Sequence, residues 1–481
     1  MRREFIINIS FLILANLLIK PFYIFFVERI FQNKLGTENW GMYFTLFSLS
    51  MIPQVILDLG MTSYINKGIS ADRGIATTRW NETALLKFFL FFVFIFFLMI
   101  LSYVNGYLRV HWKIILWIGI NQFLLSFILY LRAYISGLGA FRWDSFISVS
   151  DKLSFILLFY VMIGIHGIQN IYSFMLLQSI SLMIPIVLAF ALILSMHIAI
   201  GQLSLAFSRI KMILSKSIPY ALVFILMVLF CRIEPVWISH LHPNGPYQAG
   251  IYAASYRILD AANMMGFLFA GLLLPMFSNV LGKMNRTEYQ HLFSLAFGLM
   301  SSMAIFICVP IAINHSYIMT LLYHDHDIEV LSIVILQIIP LTVNYLFSTA
   351  LTASGKISSM NQLFIGSILL SFIGHLACTG KYGALGAAWV CLTVQVLTSL
   401  ALAYLLNKNG ILSLNPTSGK NTILIFLLTW IIALTSHRWL GQGLHALIIQ
   451  SFFPLILSSV FGWIPLKSSI DLIKKRDSTV S

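Results

Sequence analysis

Apolar residues gather along this chain in long runs, separated by short polar gaps. LFFVFIFFLMILSY (90–103) and PLTVNYLFSTAL (340–351) are typical, and runs of the same kind recur over the whole length. A helix needs about 20 apolar residues to cross a bilayer, and helices or closed barrels alone satisfy their backbone there. The two-residue alternation of barrel strands is missing, so the pattern predicts helices. Fourteen such stretches can be marked, from 5–31 and 40–66 through 216–240 and 248–276 to 445–465. The opening MRREFIINISFLILAN has the basic head and apolar run of a secretory signal. It lacks a small-x-small cleavage site, so it is expected to stay as the first span.

The polar gaps carry an internal repeat. WGMYFTLFSLS from Trp40 echoes AGIYAASYRIL from Ala249, each with Gly-x-Tyr and an acidic residue upstream, Glu28 and Glu234. AYISGLGAFRW from Ala133 echoes LTASGKISSMN from Leu351, and IHGIQNIYSF from Ile165 echoes KYGALGAAWV from Lys381. The offsets, taken at Gly41/Gly250, Gly137/Gly355 and Gly167/Gly383, are 209, 218 and 216. Three echoes in one order at nearly one offset predict two six-helix lobes, 1–197 and 216–407. A cytoplasmic linker at 198–215 joins them, and 408–481 adds two transmembrane helices and a basic cytoplasmic tail. Six is even, so the repeats are expected to be parallel, related by an axis along the membrane normal. The expected fold class is an all-α integral membrane protein of about 14 transmembrane helices.

Composition agrees with the pattern. The chain is 59% hydrophobic and 10% charged, with a mean hydropathy of +0.90, where soluble domains carry about a quarter charged residues. A net charge of +14 would suggest nucleic acid in a soluble protein. With the N-terminus inside, however, eighteen of the thirty Lys and Arg fall in cytoplasmic segments and five in the opposite loops. That is the positive-inside bias, so the charge sets topology, with both termini cytoplasmic, and requires no nucleic acid. Cys231, Cys308, Cys378 and Cys391 all lie in apolar stretches without CxxC spacing, which suggests neither a zinc site nor a disulfide framework. No gap exceeds about twenty residues, too short for a separate soluble domain. A phosphate-binding Gly-rich loop, a Ser-His-Asp set and HExxH are all missing, and no cofactor is expected.

Charges inside apolar stretches are the candidate chemistry. An ion at mid-bilayer costs roughly 2.5–3.5 kcal/mol on insertion scales, so it usually faces a cavity or a partner. Lys20 lies about 22 Å along the first span, too deep to reach the cytoplasmic interface easily. Asn16, Lys20 and Tyr23 form one helical stripe, and Pro21 is expected to bend the helix beside it. On the eighth span Arg257 and Asp260 are three apart and can pair, with Tyr252, Tyr256 and Asn263 alongside. On the seventh, Arg232 and Glu234 are two apart and need separate partners. The second span offers Ser50, Gln54 and Asp58, and the tenth Gln337, Asn344, Ser348 and Thr352. Glu28 and Arg29 read best as an interfacial pair at the outer end of the first span, and His166 and His375 as packing residues. Interhelical hydrogen bonding is the plainer alternative for each polar residue.

The order LGTENWGMY, LDLGMTSYINKGIS, GLGAFR and HGI resembles the polysaccharide exporter branch of the MOP superfamily, the Wzx-type flippases related to lipid II flippases and MATE exporters. The similarity runs over essentially the whole chain. It implies a two-lobed bundle whose cavity is lined mainly by spans 1, 2, 7 and 8. The implied substrate is undecaprenyl diphosphate carrying a short glycan, moved from the inner to the outer leaflet of the cytoplasmic membrane, with membrane lipids and polysaccharide polymerase or assembly proteins as partners. MATE exporters couple to cations partly through a carboxylate on span 1; here that span carries Lys20 and no Asp. On this resemblance Lys20, Arg232 and Arg257 would meet the diphosphate, with Asn16, Tyr23, Tyr252 and Tyr256 beside them. Asp260, Glu234, Asp58 and Glu28 would be the pairing or coupling carboxylates.

Two motifs point elsewhere. Asp325–His326–Asp327 has the DxD spacing of metal-dependent glycosyltransferases, with His315 and His324 nearby, but a loop of about fourteen residues has no fold to hold a metal and reads as solvated. GISADRG (68–74) resembles a loop of major facilitator transporters, although Ile75 stands where that motif has its second glycine. The rival functions are therefore a MATE-like or facilitator-like small-molecule antiporter and an integral-membrane glycan polymerase or glycosyltransferase.

Overall fold

The computed structural model describes residues 15–72, 76–165, 170–196, 225–282, 286–324, 327–411 and 416–464, which are helical with no strand among them. The first helix, α1 (15–35), contains a π-helical turn at Ile24–Glu28, three residues after Pro21. The bend expected at the proline is taken up in this wider turn, which shifts the face that follows. Glu28, the last residue of this turn, is buried, at 4% exposure.

The second span is broken into α2 (Thr37–Met51), a 3₁₀ turn at Pro53–Leu57 and α3 (Met61–Ala71). Pro53 has no amide to give, and Leu59 and Gly60 then take positive φ of 42° and 77°. Four long helices follow: α4 (Ala76–Val104), α5 (Leu108–Gly137), α6 (Phe141–Ile165) and α7 (Ile171–Ser195). The seventh span is also discontinuous, with α8 (225–231) ending before α9 (Glu234–Leu241), whose second residue is Pro235. The unbroken span expected over 216–240 is corrected here, and residues 216–224 lie outside the described part.

Next come α10 (Gly245–Gly282), α11 (Arg286–Ile313) and the short α12 (His315–Leu322). The tenth span is α13 (Ile328–Leu336) followed by α14 (Ile338–Ala353). The 52 residues of α15 (Ile357–Lys408) would reach about 78 Å if straight, more than twice the bilayer core of about 30 Å. Gly383, at φ 55° and ψ −132°, divides it into two spans. α16 (Pro416–Leu440) and α17 (Leu444–Val460) close the series. Among the described residues nine helices are long and apolar enough to cross a membrane, α15 carrying two crossings. The first, second and seventh spans and α17 bring the total to the predicted fourteen.

Two compact units result: 1–240 with 244–250, and 241–243 with 251–481. The first is built on Met61, Ile65, Ile69, Trp80, Tyr130, Tyr134 and Ile186. The second centres on Phe277, Phe293, Phe347, Leu402 and Leu406. In the second unit α16 packs on α11 through Ile425, Ala433, Ile305 and Val309. A buried amide chain adds to this contact: Asn314 donates to Gln450, and Gln450 Nε2 donates to Ser436 Oγ at 2.8 Å.

The repeat is visible in backbone detail. After α5, Leu138, Gly139 and Ala140 donate their amides to the carbonyls of Tyr134, Ser136 and Ile135. After α14, Ser354, Gly355 and Lys356 donate to Ala350, Thr352 and Leu351, every position displaced by 216. Gly139 and Gly355 both take positive φ, 84° and 77°. The glycine matching Gly355 is thus Gly139, in place of the expected Gly137, because the turn that stops the helix needs its left-handed residue there. Asn121 and Gln337, also 216 apart, each donate to a backbone carbonyl of the last helix of their own half, Met175 and Ala388. Within the first unit Gly41 and Gly250 lie backbone against backbone. A Cβ on Gly41 would strike the Pro246 carbonyl, and one on Gly250 would strike the Thr37 carbonyl. Thr37 and Pro246 are 209 apart, as are the glycines, so the contact is reciprocal.

Candidate functional site

On α1 the expected stripe keeps one face. Asn16 and Tyr23 are buried and Lys20 is half-buried, while Leu18, Phe22 and Phe26 are exposed, with the last two rings stacked at 4.6 Å. The Tyr23 ring meets Phe155 edge-on at 5.0 Å, and Lys152 Nζ stands 4.7 Å over it. This stripe therefore lies against α6. None of the described carboxylates is within ion-pair distance of Lys20. Asp151 pairs with Lys152 at 3.3 Å, and Arg132 pairs with Asp144 at 2.7 Å. The sequence reading had passed over these two pairs; their partners sit on α5 and α6, outside the expected lining helices.

In the second unit, Arg257 and Asp260 pair at 3.4 Å on α10, as their spacing predicts, with side chains only 15% and 14% exposed. The buried Tyr252 and Tyr256 rings stack at 5.7 Å, and the Tyr252 hydroxyl reaches Cys391 Sγ at 3.9 Å. Asn263 donates to the Tyr345 hydroxyl at 3.0 Å. On the seventh span, Arg232 stands at the break and is half-buried, and Glu234 is the buried first residue of α9. Lys20, Arg232 and Glu234 belong to the first unit, and Arg257 and Asp260 to the second.

Asp58 lies in the break of the second span, partly exposed, and accepts from the Thr62 amide at 3.2 Å and from its hydroxyl. Facing it from α4 is Lys87, which sequence reasoning did not single out. Lys87 is wholly buried, and its Nζ lies 4.0 Å from Asp58 Oδ1. The polar face continues through Gln54, which donates to Gln122 at 2.9 Å, and Gln122, which donates to Ser50 at 3.3 Å.

His375 is a buried packing residue, sharing a hydrogen bond with Thr379 Oγ1 at 2.8 Å and lying 3.9 Å from Cys391 Sγ. Of the DxD motif, Asp325 and His326 lie outside the described residues. Asp327 caps α13, accepting from the Glu329 amide at 3.1 Å. His166, part of GISADRG and the 198–215 linker also lie outside the described part. In the gap between α4 and α5, the Tyr107 hydroxyl donates to Ser239 at 3.1 Å and meets His240 Nδ1 at 2.9 Å. Burial holds that hydroxyl above its ordinary pKa of 10.0.

Residues 5–281, more than half of the chain, match the family model described as polysaccharide biosynthesis protein. No curated protein matches the chain. Among solved structures, a lipid II flippase MurJ in an inward closed conformation matches with TM-score 0.65 and 14% identity, over 97% of this chain and 99% of that one. An inward-facing multidrug resistance MATE family transporter of the MOP superfamily matches with TM-score 0.57 and 14% identity, over 82% and 95%. A mutant of the Vibrio cholerae MATE transporter VcmN gives 0.54 and 15%, over 84% and 94%. At these identities the likenesses establish a shared fold.

Proposed function

The chain belongs to the polysaccharide biosynthesis protein family of the MOP superfamily, and from that premise we propose that it flips undecaprenyl-diphosphate-linked oligosaccharide units across the bacterial cytoplasmic membrane. It serves surface polysaccharide assembly by alternating access, with lobes 1–197 and 216–407 and both termini in the cytoplasm. The observation that carries this reading is Lys20. A half-buried lysine on a membrane span, outside ion-pair distance of every described carboxylate, is available to meet an anionic head group. A diphosphate is such an anion, and its burial is prohibitive without fixed cations.

Arg232 and Arg257 supply further positive charge, Asn16, Tyr23, Tyr252 and Tyr256 stand next to these cations, and Asp260 holds Arg257 while the site is empty. Glu234, Asp58 and Glu28 are the remaining carboxylates for a coupling proton. Membrane lipids and polymerase or assembly proteins are the partners this reading implies. In a strain lacking the gene, lipid-linked repeat units should accumulate in the inner leaflet, and the wild-type chain should clear them. A deletion strain that exports polysaccharide normally and accumulates nothing would rule the flippase out and leave a small-molecule antiporter as the reading to pursue.

A further inference from the structure

The Leu57 carbonyl, at the end of the 3₁₀ turn in the second span, has lost the donor that a continuous helix would give it. The amide four residues on, from Met61, goes to the Asp58 carbonyl at 2.8 Å. Between them Leu59 holds a positive φ of 42°, the one non-glycine residue to do so among those described. A leucine stays in that region only where its surroundings over-determine it.

Lys87 supplies what is missing. Its Nζ lies 2.7 Å from the Leu57 carbonyl oxygen and 2.7 Å from Ser126 Oγ, and Ser126 is itself 3.5 Å from the same carbonyl. Asp58 Oδ1, at 4.0 Å, is the counter-charge, and it also caps α3 through Thr62. Burying an ammonium whole is expensive unless its bonds offset the cost. Here both hydrogen bonds and the charge contact go to the break or to the serine beside it.

We infer that Lys87 is a positioning residue for transport. Its ammonium replaces the absent amide donor, fixes the break in the second span, and so sets the orientation of Asp58 and of the polar face of Ser50 and Gln54 above it. Interrupted helices are where transporter backbones do their polar work. The consequence for export rests on the flippase reading; the clamp itself does not.

Truncation to alanine removes three carbons and the nitrogen, a gap the shape of n-propylammonium. The test compares wild type with Lys87→Ala in two ways: hydrogen exchange of amides 58–62 in the purified proteins, and polysaccharide export in the deletion strain. In Lys87→Ala exchange should rise and export should fall about ten-fold or more, the scale of one lost charge-assisted hydrogen bond. Added n-propylammonium should reverse both changes, and tert-butylammonium, too bulky for the gap, neither. Should the variant fail to accumulate, n-propylammonium present during growth should restore its abundance. Wild-type exchange and export in Lys87→Ala would overturn the inference, and so would losses that n-propylammonium does not reverse. If the wild-type chain supports no export while exchange responds as described, the flippase reading fails and the clamp stands.

Discussion

Lys20 and Arg257 are both cations on membrane spans, but their surroundings differ. Arg257 has Asp260 at 3.4 Å on its own helix, whereas none of the described carboxylates lies within ion-pair distance of Lys20. Removing Lys20 therefore breaks no ion pair among the described residues, and Lys20→Ala should insert at normal abundance. Its export should fall about ten-fold or more if the ammonium meets a phosphate oxygen. Lys20→Arg should keep part of the activity, because it retains charge and changes reach. Export by Lys20→Ala and Arg257→Ala at wild-type rates, measured in the deletion strain, would show both to be packing residues. The Arg257–Asp260 pair was legible in the sequence because a spacing of three on one helix brings two side chains together. Lys87 was not. LLKFFLFF looks the same whether its lysine is clamped or wasted, and the groups that bind it, Leu57 and Ser126, come from 30 and 39 residues away.

Helix contacts in membranes depend on small residues, and Gly41 and Gly250 show how closely two backbones can approach. A methyl group on either one meets a carbonyl of the other segment, so Gly41→Ala and Gly250→Ala should destabilise the protein by similar amounts, about 1–3 kcal/mol by the usual cost of overpacking. Gly271→Ala and Gly366→Ala, where an added Cβ meets nothing within 4 Å, should cost little and provide the controls. Thermal unfolding in detergent measures all four. Unequal losses at the two glycines would contradict the reciprocal contact. Their equivalence could be read from the Gly-x-Tyr echo, which both copies carry within the first turns of a helix. The breaks at Pro53–Gly60 and Arg232–Ile233 could not, since hydropathy continues unchanged through them and membrane helices tolerate proline. The π-helical turn at Ile24–Glu28 was hidden for a related reason: a proline announces a bend and leaves its form to the neighbouring helices.

For the whole molecule, the span count and the hand of the repeat are one problem. Both six-span halves can run in the same direction only if each crosses the membrane an even number of times, and two added spans keep the total even. On the positive-inside rule the excess of Lys and Arg in alternate gaps predicts the orientation, with those gaps expected in the cytoplasm. Ser316 stands at the start of α12, after the ninth span, and Ser478 in the tail after the fourteenth. With Cys231, Cys308, Cys378 and Cys391 replaced by alanine, a cysteine at position 316 should react with a membrane-impermeant maleimide in intact cells. One at 478 should react only after the membrane is opened. Equal labelling of the two in intact cells would place an even number of crossings between them, where the span order requires an odd one, and would put one set of basic gaps on the wrong side. Two parallel six-span halves followed by two further spans, with the N-terminus inside, would then be impossible, and the repeat, with the alternating-access reading built on it, would have to be abandoned.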